Sequence, residues 1–574
     1  MPWLLPLAFV VIASSFVRGE EFRGLWVDAF HAGIKSSAEV TQLVADTRAA
    51  NMNAVFVQVR KRGDAYYNST LEPKATDVTP QAFDPLADLI AKAHAGTPRI
   101  EVHAWIVTYN VWNGETSQPA QATHPYRLHP EWVTEKDDGT KWDGGNYAFD
   151  QAHPAVQQHT FDVCQDILTR YEVDGLHFDY IRYTDSNSSV GSQPWGYHPV
   201  ALQRFKALTG RTDRPPAGDA EWLQFRRDQV SALVRKVYLH AWKIRPAARI
   251  SGALICYGAA PASGTLAAWQ GRDAYGRVLQ DWRGWLEEGI LDLAIPMIYR
   301  DYSDAARRAE YNAWCAWTRD NQFNRAGAAG PGIYLNAVAD TISEVKQARV
   351  TGGGKSLGGS VLYSYGVPTK TAGITRAEVI AALTDDAAAE TYDPGGTPVF
   401  AEAVAAPSMP WKTDVSKGHL MGFLTDSEGV KFDGASVTIT GVVTRTVKTD
   451  ATGFFGAVDL PAGEYTLTVS VPGYLPVTRT VTVTGALVAE TSVVLNAQGV
   501  PDFAITGHQW NGPQRKLTLT WNSRPGKTYR VELSGNLSTW TPLSTGLPSG
   551  GASTMWTSAT LPVATRHFFR VKEE

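Results

Sequence analysis

From Phe22 to about Asp385, short β-branched and aromatic runs alternate with longer amphipathic stretches. The runs are Phe22–Asp28, Ala54–Arg60, Arg99–Val107, Gly175–Tyr180, Arg249–Ile255, Leu291–Tyr299, Gly332–Leu335 and Ser360–Tyr365. Between them lie helical patterns such as Ser37–Asn51, Pro85–Ala95, Pro154–Tyr171, Ala220–Ile244 and Ser303–Asp320. Eight strands alternating with helices predict a parallel sheet, because parallel neighbours need long crossovers. A segment of this length suits a closed barrel with insertions. An open doubly wound sheet is the alternative, but no Gly-rich phosphate loop follows the first strand.

The pattern changes near Tyr392. Residues 393–417 are rich in Pro, Ala and Gly and read as a linker. From Gly418 to about residue 497 Thr/Val alternation takes over, with turns at Ala451-Thr452-Gly453 and Pro461-Ala462-Gly463. Residues 501–574 repeat the style, with Leu517–Trp521, Tyr529–Leu533 and His567–Val571 as strands. The expected fold class is α/β: a (β/α)8 TIM barrel over residues 20–392, followed by two small all-β sandwich domains.

Composition narrows the function classes. A formal net charge of −4 excludes a general nucleic-acid binder, which needs a basic footprint. Cys164, Cys256 and Cys315 are odd in number and dispersed, so neither a disulfide framework nor metal-ligand spacing is expected. No zinc or calcium motif and no Gly-x-Ser-x-Gly element is visible, and no cofactor is expected. The apolar run Leu4–Ala13 is too short to span a bilayer. Residues 1–19 read as a signal peptide, which implies a secreted, periplasmic or surface protein. No other segment reads as a membrane span, and oligomeric state is left open.

Strand parity selects candidate site residues, since alternate side chains share a face. In Asp174-Gly175-Leu176-His177-Phe178-Asp179-Tyr180-Ile181-Arg182-Tyr183, Leu176 and Phe178 would pack outwards, and His177 and Asp179 would point into the barrel. Asp179 would then stand at the C-terminal mouth, where barrel enzymes place their sites. A buried carboxylate needs a partner, and Arg182 or Arg60 could be that partner without any catalysis. The same parity turns Gln58 and Arg60 inwards on the second strand, and His103 and Trp105 together on the third. It groups Trp26 with Asp28 on the first, directs Met297 and Tyr299 inwards on the sixth, and groups Tyr363 with Tyr365 on the eighth. Tyr109 opens a long loop after the third strand, running to Asp150; a second follows the fourth, from Thr184 to His198.

A mouth lined by polar and aromatic groups suits a polar ligand with apolar faces, as a sugar is. Hydrolysing a glycoside needs two carboxyl groups, one of them usually a proton donor. Asp179 is the first expected acid. Asp301, beyond Tyr299, is the second, although a solvated loop carboxylate or helix cap is as good a reading. Asp64 is expected to brace its loop or bind substrate, and Asp28 to pair with Arg60.

Several segments together resemble glycosyl-hydrolase-like family ten. They are Arg23-Gly24-Leu25-Trp26, Asn53-Ala54-Val55-Phe56-Val57-Gln58-Val59-Arg60, Gly63-Asp64-Ala65-Tyr66-Tyr67, His103-Ala104-Trp105, Val173 to Tyr180, and Pro296-Met297-Ile298-Tyr299. The resemblance implies a (β/α)8 barrel that hydrolyses a glycan, such as a peptidoglycan strand or a host or environmental polysaccharide. It supports Gln58, Arg60, Asp64, His103, Trp105, His177 and Asp179 as site residues. The chain departs from the family pattern at Val107-Thr108-Tyr109-Asn110, Asp179-Tyr180 and Met297. The segment from Gly418 to Leu495 is similar to carboxypeptidase-regulatory-like sandwiches, and the last module distantly resembles fibronectin-like domains. The expected set is thus Asp179 and Asp301 as catalytic acids, with Asp28, Gln58, Arg60, Asp64, His103, Trp105, Tyr109, His177, Arg182, Tyr299 and Tyr365 binding substrate. A glycan-binding barrel without catalysis is the alternative.

Overall fold

The computed structural model describes residues 19–185, 194–498, 504–524, 526–563 and 566–574. The expected signal peptide falls almost wholly outside them. Eight parallel positions form the barrel: β1 (Phe22–Val27), β2 (Ala54–Arg60), β3 (Glu101–Val107), β4 (Gly175–Asp179), β5 (Arg249–Leu254), β6 (Leu293–Ile298), β7 (Ala326–Gly327 and Gly330–Pro331) and β8 (Gly359–Tyr363). The hydrogen-bonded order runs from β7 through β6, β5, β4, β3, β2 and β1 to β8. Bridges Ala329–Ser360 and Gly332–Tyr363 join β7 to β8 and close the ring.

One strand lies elsewhere than its sequence suggests. Gly332–Leu335 was expected to be the seventh strand, but Ile333–Leu335 is a turn of 3-10 helix and β7 precedes it. The run Ala326-Gly327-Ala328-Ala329-Gly330-Pro331 has no β-branched residue, so propensity gives no signal. Its small side chains answer a packing need. A Cβ on Gly330 would stand 2.8 Å from the Trp26 ring and 2.5 Å from the Pro296 carbonyl oxygen.

The barrel interior holds Phe22, Trp26, Phe56, Trp105, Ala253, Leu293, Ile295 and Val361. The alternate residues Val55, Val57, Val59, Leu176 and Phe178 pack outwards against the helices. Three helices of the loop-bearing end begin with the pair His-Pro. His124, His153 and His198 each accept a backbone N–H on Nδ1, from Tyr126, Ala155 and Val200 respectively. Proline supplies the first helical φ and lacks only a donor that would be unpaired anyway.

Residues 393–417 run over the N-terminal end of the barrel. Glu20 bridges Ala405, Asn53 donates to the Val404 carbonyl, and Arg249 donates to that of Pro407. Lys412 reaches 3.1 Å from the Asp292 carboxylate, and both are buried. The following sandwich has one sheet built on Lys417–Asp426 and Phe454–Pro461, and another on Ser436–Thr440, Thr444–Lys448, Gly463–Val469 and Val477–Val483. It packs on the helix Ala220–Ile244. Lys236 donates to Thr452, Trp242 to the Ala486 carbonyl, and Arg325 pairs with Asp459 at 3.0 Å. Gly456 permits the close approach, since a Cβ there would meet Leu239 at 2.2 Å.

The C-terminal module is a separate compact unit. Two three-stranded antiparallel sheets, one centred on Lys516–Asn522 and the other on Thr528–Ser534, enclose Leu517, Leu519, Trp521, Tyr529, Val531, Leu561 and Val571. Among the described residues no helix is long and apolar enough to cross a membrane.

Candidate active site

The C-terminal ends of the strands surround a cleft of about 260 Å³. Asp179, the last residue of β4, stands in it and is 5% exposed. Its Oδ2 accepts the Trp105 indole N–H at 3.1 Å, and its Oδ1 accepts the Tyr180 backbone N–H at 2.7 Å. Arg182 Nη1 lies 3.6 Å from Oδ1. Burial pushes the Asp179 pKa up. Arg182, the Tyr180 N–H and the Trp105 N–H pull it back only in part, so it stays above the ordinary carboxylate value. A carboxyl held so is fitted to donate a proton.

The walls are aromatic. Tyr299 and Tyr363 stack with centroids 5.3 Å apart, and Tyr334 stands nearly perpendicular to both. Trp26, Trp105 and Phe30 add further apolar faces, while Gln58, Lys61, Arg62, Asn110 and Asn146 add polar groups. Gln58 is fixed from the outside, its Oε1 accepting the Ala29 N–H at 2.9 Å. His177 lies one layer below. Its Nε2 accepts the Trp26 indole N–H at 2.8 Å, which leaves Nδ1 to donate to Ser251 Oγ at 2.9 Å. Burial and the neighbouring His103 depress its pKa far below the usual value, so it is a neutral prop for Trp26.

The structure brings Gln58, Trp105, Asp179, Arg182 and Tyr299 together at the cleft and places the other expected residues elsewhere. Asp301 is a correction. The strand ends at Ile298, so its parity does not reach position 301. The Asp301 side chain is 48% exposed, accepts from Ser303 and pairs with Lys370 at 3.0 Å. Arg60 is a second correction. A bulge between Gln58 and Arg60 inserts a residue opposite β3 and sets Arg60 beside Ile106, on the helix side. There it pairs with buried Glu72 at 2.6 Å and donates to the Thr108 carbonyl. Asp28 is therefore not its partner; Asp28 accepts from the Phe30 and His31 N–H groups and the His31 ring.

Asp64 accepts the Arg62 N–H at 2.9 Å and braces its loop outside the cleft lining. His103 is inward but sealed near the closed end, stacked on Phe56 and bonded to Glu101. Tyr109 packs in the outer core. Tyr365 follows the end of β8 and turns out to bond Asp46 and lie under Arg376. Sequence reasoning missed Lys61, Arg62, Asn110, Asn146 and Tyr334 as lining residues. The one usable signal was the Lys61-Arg62 pair placed directly after a strand end.

Among the described lining residues Asp179 is the sole carboxylate. A larger groove of about 680 Å³ lies between the helix Ala220–Ile244 and the first sandwich, remote from the strand ends. Its charges are largely matched internally, as in Arg204–Asp433 and Arg235–Glu288.

The glycosyl hydrolase-like 10 family matches residues 21–347, and the carboxypeptidase regulatory-like domain matches residues 419–496. Glycosyl hydrolase DigH of Escherichia coli (strain K12) is 26% identical over 297 residues, 47% of this chain and 59% of that protein. Glycosyl hydrolase YngK of Bacillus subtilis (strain 168) is 25% identical over 295 residues, 50% of this chain and 53% of that protein. The chain thus spans little more than half the length of these curated relatives. Among solved structures, α-L-fucosidase isoenzyme 2 from Paenibacillus thiaminolyticus superposes with a TM-score of 0.42 at 10% identity, covering 96% of this chain and 99% of that one. With more than half of its residues matched, this chain belongs to the glycosyl hydrolase-like 10 family.

Proposed function

We propose that the chain hydrolyses glycosidic bonds with Asp179 as proton donor. The observation that carries this reading is a nearly buried carboxyl of raised pKa, set among aromatic faces at a barrel mouth. Its proton goes to the leaving oxygen as the bond breaks, and the resulting carboxylate can then take a proton from the incoming water. With one carboxylate in the lining, the partner that attacks or shields the anomeric carbon comes from the substrate. A 2-acetamido carbonyl is the group that plays this part in substrate-assisted glycosidases. The substrate class that follows is a glycan containing N-acetylated amino sugars. The N-terminal pattern supports action outside the cytoplasm.

Asp179→Asn should lower reducing-end release from such glycans by about 10²–10⁴-fold while leaving the fold intact. Unchanged turnover would overturn the assignment. The lone carboxylate also favours a second reading, a barrel that binds glycans without cleaving them. Saturable binding with no product across a broad glycan panel would select that reading.

A further inference from the structure

Tyr180 stands where its strand would not put it. In β4, Leu176 and Phe178 face the helices while Asp179 faces the cleft, so alternation would send residue 180 out to the helix layer. Instead Tyr180 lines the cleft beside Asp179 and Arg182. Its backbone makes this possible. Tyr180 has φ +50°, in the left-handed region, and of the non-glycine residues with positive φ among those described it alone lines the cleft. A residue with a Cβ enters that region at a cost equivalent to about a five- to thirtyfold shift in a two-state population. Gly occupies it freely and Asn with less strain, so a tyrosine there is informative.

The surroundings hold this turn in place. Ile181 returns to the core, and its carbonyl accepts from Gln280 at 3.3 Å. The Arg182 carbonyl accepts from Gln151 at 3.0 Å, and the Tyr183 N–H donates to the Val278 carbonyl at 2.9 Å. Within the turn the Tyr180 N–H reaches Asp179 Oδ1, and the Arg182 guanidinium, paired with Asp179, lies 4.2 Å from the centre of the Tyr180 ring. The ring is half-buried, and its hydroxyl has no hydrogen-bond partner among the described residues. Burial pushes the phenol pKa up, so the hydroxyl keeps its proton and is available as a donor. A strained backbone that its neighbours over-determine, at the edge of a cleft, points to a contact with a ligand. We infer that Tyr180 is a specificity-determining residue: its hydroxyl donates a hydrogen bond to the sugar unit bound against Asp179, and the left-handed turn is what brings it there. This rests on the glycosidase reading for the identity of the ligand as a glycan, and goes beyond it in naming the group that orients the sugar beside the acid.

The test uses the full chain and two readouts. Urea unfolding compares Tyr180→Ala with Tyr180→Gly. Both lose the ring and differ in their fit to the left-handed turn, so the Gly variant should unfold at the higher urea concentration, the reverse of the usual order of these residues. Binding is titrated by tryptophan fluorescence in the Asp179→Asn background, so that turnover does not intrude. The probes are a β-1,4-linked N-acetylglucosamine hexasaccharide and a peptide-free N-acetylmuramic acid–N-acetylglucosamine oligosaccharide. Tyr180→Phe keeps the ring and the turn; it should leave the urea midpoint unchanged and weaken binding of at least one probe about three- to tenfold. The Ala and Gly variants should bind that probe more weakly still, and alike. A Gly variant no more stable than the Ala variant, a Phe variant that binds as tightly as its parent, or no binding of either probe would overturn the inference. Reducing-end release by the unsubstituted chain with an equal kcat/KM for Tyr180→Phe would strike this inference and leave the glycosidase reading. Weakened binding in Tyr180→Phe with no release by the unsubstituted chain would do the opposite.

Discussion

Lys412 offers a direct measure of what locks the closed end of the barrel. Its ammonium sits 3.1 Å from Asp292 Oδ2, with the Tyr238 and Trp242 rings 4.8 and 4.2 Å away. Asp292 also accepts from the Ile250 N–H, the Trp411 indole and the Tyr238 hydroxyl. Burial pushes the Asp292 pKa up, but Lys412, Arg325 and these hydrogen bonds outweigh it and hold the carboxyl below its ordinary value. Lys412→Met keeps most of the stem packing and removes the charge. Removing one member of a buried pair costs about 3–5 kcal/mol. The three remaining donors place this case at the lower end, about 3 kcal/mol. Lys412→Met with Asp292→Asn removes the stranded charge and should recover much of the loss, a coupling of about 2 kcal/mol.

Urea unfolding followed by tryptophan emission measures both quantities. The pH dependence has a definite sign. A carboxyl with a depressed folded pKa contributes stability above its unfolded value of about 3.9, and that contribution disappears as pH falls through the folded value. The gap between the unsubstituted chain and Lys412→Met should therefore narrow on acidification. A single-variant cost below about 0.5 kcal/mol, or strict additivity of the two substitutions, would refute the account of this pair.

Two further outcomes follow from the same structure. Trp105→Phe removes a hydrogen bond to the ionised form of Asp179, worth about 1.5 kcal/mol, and so raises an already raised pKa by about one unit. In the proposed mechanism the protonated acid is the active form, so the falling limb of the kcat/KM–pH profile should move up by that unit; a limb that stays or moves down contradicts the role given to Trp105. Gly330→Ala sets a methyl against the Trp26 ring and the Pro296 carbonyl and should cost about 1–3 kcal/mol in thermal or urea unfolding. An unchanged melt would show that β7 can shift away from Trp26.

Much of the barrel was legible in the sequence because period-two alternation is strong where a strand separates two apolar layers. Val55, Val57 and Val59 face the helices, and Trp105 and Asp179 meet at the mouth, as parity requires. Parity fails where its premise fails. The bulge before Arg60 reverses the facing of one side chain. Asp301 and Tyr365 lie past their strand ends, where alternation carries no information. The seventh strand was hidden because its small residues are chosen by the bulk of Trp26, a tertiary demand that local propensity does not record. Arg62 and Tyr334 sit in turns, and their convergence depends on loop geometry alone.

No residue of the first sandwich is among those lining the cleft, although the module is fastened to the barrel's flank and closed end. Choice of ligand and durability of the scaffold are thus written in different parts of the chain. Exchanging that module would be paid for in melting behaviour, while what the cleft accepts would stay the same.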